Sequence, residues 1–146
     1  MAANDRGKAN VNRYGELHSN EHPVFNSKRE IKDISETVSI AVAAYTDTSV
    51  AKFPANCWAE AVAWYVKTAI PGLVSNIMDI GNFGTANAYA DDVATTKGAS
   101  GVKHLGVEIT SETAIRITPN DEPTAGGEII IQVFYRQITQ PTAASA

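Results

Sequence analysis

Cysteine is nearly absent from this chain of 146 residues: Cys57 stands alone. A single thiol makes no internal disulfide and no zinc knuckle. It sits between Phe53 and Trp58, with no local signature tying it to a His or Asn. It therefore reads as a buried, inert thiol rather than a nucleophile. Also missing is an apolar run of about 18 residues, and with it a membrane-spanning helix. There is no excess of basic residues. Twelve Lys and Arg face sixteen Asp and Glu, for a net charge of −4, which argues against the basic footprint of nucleic-acid binding. The opening MAANDRGKANVNRYGELHSNEH has no apolar centre followed by a small-residue cleavage site. It does not read as a secretory signal, and synthesis in the cytoplasm is expected. G-x-x-x-x-G-K-[ST] and G-x-S-x-G are absent, and "GNFGTA" is neither a phosphate loop nor a dinucleotide fingerprint.

What is present suffices for a core. The chain is 44% hydrophobic and 19% charged, so it needs neither disulfides nor a metal for stability. Its length suits one domain with an appendage.

The composition shifts near residue 33. Residues 1–33 hold five asparagines and only scattered apolar side chains, among them Tyr14, Leu17, Val24 and Phe25. Six basic and five acidic residues give this part a net +1, leaving −5 for residues 34–146. Such a segment cannot bury much alone and reads as an extended arm. Tyr14, Leu17, Val24 and Phe25 are its candidate anchors, able to dock on the protein's own surface or a partner's. The tail, residues 139–146, is small and polar and is expected to fray.

Between them the pattern is that of strands. Val38, Ile40 and Val42 alternate with Thr37, Ser39 and Ala41, the period of a half-buried strand. "TDTS" interrupts, and "VAKFPAN" supplies a second short strand. "CWAEAVAWYVKTAI" carries two signals. Trp58, Ala61, Val62 and Tyr65 have helical spacing, while Val62, Trp64, Val66 and Thr68 alternate. Aromatic and β-branched content favours the strand. "LVSNIMDIGN" is a strand ending at Gly81, and residues 82–101 form a long loop with short extended pieces. "VKHLGVEI" is a weak strand and Ala114–Thr118 a clearer one. "EIIIQVFYRQI" is the strongest. Ile129, Ile131, Val133 and Tyr135 share one face; Ile130, Phe134 and Arg136 share the other. Apolar residues on both faces suit a central strand. Seven or eight short strands at regular spacing imply an all-β fold, an antiparallel β-sandwich or jelly roll.

Chemical motifs are weak. "HSNEH" fits H-x-x-E-H, in which His18 and His22 would clamp zinc and Glu21 would activate water. That requires a helix, yet Pro23 follows His22 directly and disfavours the helical conformation there. A metal-dependent hydrolase through His18, Glu21 and His22 is therefore the remote alternative, and no catalytic residue, metal or cofactor is assigned. Asp79, Asp91 and Asp92 lack the spacing of a calcium loop and read as a solvated acidic turn. Trp58, Trp64 and Tyr65 suit a core or an interface better than a sugar-stacking face. His104 reads as an ordinary strand or surface residue.

From Tyr65 to Gly101 the chain resembles small structural proteins of tailed bacteriophages, a group that includes head-decoration (cement) proteins of the jelly-roll type. The resemblance is carried by Ala69-Ile70-Pro71-Gly72, Asp79-Ile80-Gly81, Tyr89-Ala90-Asp91-Asp92, Gly98 and Gly101. The closing "IRITPNDEPTAGGEIIIQVFYRQI" is similar to the final hairpin of such proteins. Ile70-Pro71 departs from the aromatic and acidic pair more typical there, and so does the arm at residues 1–33. The resemblance spans residues 36–138. It implies a jelly-roll body over residues 34–138, no catalysis, and a place on the virion, made in the host cytoplasm. The resemblance alone does not separate shell from tail; an arm able to tie neighbouring subunits together favours the shell, with the major capsid protein as the expected partner at its outer surface. Homo-oligomerisation is expected, a trimer at local three-fold positions in preference to a dimer at two-fold ones. No nucleic acid or membrane partner is expected. A tail, fibre or adaptor position is the alternative.

Overall fold

The computed structural model describes residues 30–73 and 75–138. They form eight strands: β1 (Ile31–Ser39), β2 (Thr46–Phe53), β3 (Cys57–Thr68), β4 (Ile77–Gly81), β5 (Ala90–Ala94), β6 (Ser100–Ile109), β7 (Thr113–Pro119) and β8 (Glu128–Gln137). Two four-stranded sheets have the orders β1-β8-β3-β6 and β2-β7-β4-β5. All pairings are antiparallel, and they nest: β1 with β8, β2 with β7, β3 with β6, β4 with β5. Rolled up, such a nested ribbon is a jelly roll. The all-β sandwich expected from the strand spacing is the observed architecture.

The strong alternation of "EIIIQVFYRQI" places β8 between β1 and β3. Its Ile129, Ile131 and Val133 are fully buried, and Tyr135 nearly so. The same alternation settles the ambiguous aromatic run as β3, which buries Cys57, Ala59, Val62 and Val66. A bulge between Ala59 and Ala61 keeps both halves of β3 in phase with the core. From the other sheet come Phe53, Met78, Ile80, Ile115 and Ile117. Trp64 also points inward. Gly101 lies opposite it, and a Cβ there would come within 2.4 Å of the indole. Gly72, at the end of the Ile70-Pro71 turn, has φ +86°, a backbone state that favours glycine.

Three local expectations shift. β1 begins at Ile31, three residues before the expected body boundary, with Ile31, Lys32 and Asp33 paired to Arg136, Tyr135 and Phe134. It also ends at Ser39. The Ile40 amide donates to Gly127 O (2.9 Å) as the chain crosses to the second sheet, so the alternation stops and Val42 is exposed. "TDTS" does not interrupt the strands; it opens β2. Buried Thr48 donates to Ala51 O (2.8 Å) and accepts from the Ile115 amide (2.9 Å). The hydroxyl thus satisfies backbone groups at the β2 bulge, which is how a polar residue comes to sit in a strand interior. Within the expected loop at 82–101, β5 pairs with β4. Asn82 Oδ1 accepts from the Gly84 and Thr85 amides at 2.9 Å each and tightens the turn between them.

The open edges of the two sheets meet at β1 and β2. Glu36 on β1 accepts from the Ser49, Val50 and Ala51 amides and the Ser49 hydroxyl at 2.8–3.2 Å. Burial pushes the Glu36 carboxyl up, but the hydrogen bonds from Ala51, Val50 and Ser49 outweigh it and hold its pKa below the usual value. One carboxylate thereby ties the two sheets together along their first strands.

Candidate interaction surface

Register fixes which side chains leave the core. Across the β1-β8-β3-β6 sheet the outward rows are Ile31–Arg136–Trp58–Glu108, then Asp33–Phe134–Ala61–His104, then Ser35–Gln132–Ala63–Val102. The next row is Thr37–Ile130–Tyr65–Ser100. Apolar side chains run down the centre, and Ile31, Trp58, Tyr65 and Val102 are 41–51% exposed. Some charges on this face are held in place: Arg136 Nε pairs with Glu60 at 2.6 Å, and Gln132 donates to Asp33 at 2.8 Å. Two shallow grooves cross it. Ile31, Glu60, Ala61, Val102, His104 and Phe134 line one of about 300 Å³. Trp58, Glu108, Arg136, Gln137 and Ile138 line the other, of about 420 Å³.

The outer face of the β2-β7-β4-β5 sheet is built differently. Asp47 and Arg116 stand side by side on β2 and β7 and form a bidentate pair at 2.7 and 2.9 Å. The guanidinium lies 3.7 Å from the centre of the Tyr45 ring and 5.2 Å from that of Phe83. Lys52 pairs with Glu112 at 3.7 Å.

Asp79, Asp91 and Asp92 do converge at the β4-β5 edge, with carboxylate oxygens within 4.8 Å of one another. The Asp79 carboxylate also accepts from the Asp92 amide at 3.0 Å, a cross-strand contact where the β4-β5 register shifts. Cys57 is buried, and burial pushes its thiol up to about 11, as expected for an inert position. His104 is an exposed residue of β6. Trp64 belongs to the core margin, whereas Trp58 and Tyr65 belong to the outer face. Tyr14, Leu17, Val24 and Phe25, like His18, Glu21 and His22, lie outside the described residues.

Glu36 and Arg116 were missed in the sequence, where neither has a spacing that marks it. Their roles depend on partners 13 and 69 residues away.

No family model matches the chain, and no curated protein sequence matches it significantly. Solved structures do. One neighbour is a chain of the cyanophage Pam1 capsid asymmetric unit, with TM-score 0.57 and 18% identity, covering 74% of this chain and 85% of that one. A second is a chain of the capsid of Ralstonia phage GP4, with TM-score 0.55 and 13% identity, covering 76% and 86%. This chain shares its fold with chains of two phage capsids. In both the likeness spans three quarters of the sequence, a share comparable to the described jelly roll.

Proposed function

We propose that this protein is a non-enzymatic structural component of a phage virion. In this reading it is a decoration (cement) protein that binds the outside of an icosahedral shell and stabilises it. The observation that carries the reading is the jelly roll it has in common with chains of two phage capsids. The construction suits the role. A rigid sandwich holds loops at both ends, and in this reading the residues ahead of it serve as an arm. Leu17 lies fourteen residues before Ile31, enough for a reach of up to ~46 Å when extended. In this reading Tyr14 and Leu17 dock on a neighbouring subunit, with the major capsid protein as partner. Ordering an arm costs conformational entropy. A homo-oligomer, most simply a trimer on local three-fold positions, offsets that cost because each further arm docks at high effective concentration.

The test is co-sedimentation of the purified full chain with mature shells stripped of it. The reading expects saturable binding, weakened at least tenfold by Tyr14→Ser with Leu17→Ser while thermal stability is unchanged. Absence of binding by the unmodified chain overturns it.

A further inference from the structure

The outward face of the β1-β8-β3-β6 sheet leaves Ile31, Trp58, Tyr65 and Val102 in water around the partly buried Phe134 and Ile130. Exposed apolar side chains gathered on one sheet face mark a contact site. Both chain ends arrive at it. Ile31 lines the groove with Ala61, Val102 and Phe134, and Ile138 lines the one with Trp58 and Arg136. Beyond Ile138 the sequence TQPTAASA has no bulky apolar side chain. Ahead of Ile31 runs PVFNSKRE, with Val24 and Phe25.

We propose that residues 23–29 fold back over this face in the same chain and seat Val24 and Phe25 against Phe134, Ala61 and Val102. Reach permits it. Phe25 lies six residues before Ile31 and so extends up to ~20 Å. The step from β1 to β6 crosses three strand spacings, ~14 Å. Every strand of the face is therefore within range. The outer face of the second sheet is also near β1, but its exposed Tyr45 and Phe83 already lie against the Arg116 guanidinium, which Asp47 holds in a bidentate pair. The arm then divides by length: its near part covers its own body, and its far part with Tyr14 and Leu17 is left for another surface. The cover forms in the free protein, so it stands or falls independently of any role on a virion.

The test places one reactive thiol on the face. In the full chain, Val102→Cys is labelled with a maleimide; buried Cys57 does not compete. The same variant is made with Val24→Asp and Phe25→Asp. Ala94→Cys on exposed β5 is the control. The proposal expects labelling of residue 102 at least tenfold slower with the native arm than with the aspartates, at a rate independent of protein concentration. The control should not change. Equal rates in the two arms overturn it. Protection that grows with protein concentration also overturns it, and assigns the face to a second copy. Tyr65→Cys repeats the test at a second point on the face, should Val102→Cys fold poorly.

Discussion

The two outer faces of the sandwich are made by the same alternation and end up unlike. On the β2-β7-β4-β5 side, charged groups dominate: Asp47 pairs with Arg116, Lys52 with Glu112, Tyr45 stacks on the guanidinium, and three aspartates gather at the β4-β5 edge. On the β1-β8-β3-β6 side, the outward positions hold aromatic and branched side chains, and the few charges lie at the margins. Inward positions follow one rule in both sheets, because the fold needs a dry core. Outward positions are free of that rule, so their chemistry reports what each face meets.

The comparison breaks most readily if the inward and outward assignment is wrong. Ile131→Ala, on the inner side of β8, should lose about 2–5 kcal/mol in denaturant unfolding. Ile130→Ala, its neighbour on the outer side, should lose far less. Similar losses at both would dismiss the assignment.

The link between the sheets comes next. Glu36→Gln should destabilise the fold by about 2–3 kcal/mol, because charge-assisted bonds to β2 weaken. The pH dependence sharpens this. The folded carboxyl sits below its unfolded value, so its contribution is fully present above an unfolded pKa of ~4.3. That contribution is lost as pH falls through the folded value. Thermal melts from pH 7 to 3 should show a steeper acid decline for the native chain than for Glu36→Gln. Parallel declines would remove Glu36 from the account.

A smaller effect belongs to the charged face. Arg116→Lys gives up the bidentate pair and the stacking on Tyr45, for a loss of about 0.5–1 kcal/mol that added salt reduces. Smallest of all is the thiol. Cys57, raised to about 11, is protonated at pH 8 and should react with a thiol reagent only when the protein unfolds. Rapid labelling of the native chain would show that β3 is open.

Much of this fold was legible because its signal is local. β8 declares itself by strict alternation, and β3 by the same period once its alanines are discounted. The strands that escaped are those whose stability is borrowed. Thr46–Ser49 looks like a break because its residues are polar, yet the Thr48 hydroxyl finds the Ile115 amide across the sheet. β5 is short, holds Asp91 and Asp92, and exists through its pairing with β4. The apolar outer face was half visible. Ile130 and Phe134 were assigned to the second side of β8, and Trp58 and Tyr65 were noted as interface candidates. Only the register places them on one outward surface. Val42, expected inside, is outside because the strand ends before it.

The most direct test of the central claim is quantitative mass spectrometry of purified phage particles from the source, with this chain measured against the major shell protein. A ratio near one, or a simple fraction such as one trimer per local three-fold, is the predicted result. A trace ratio would contradict decoration and move the chain to a tail or connector, and its absence from the particle would contradict the virion role altogether.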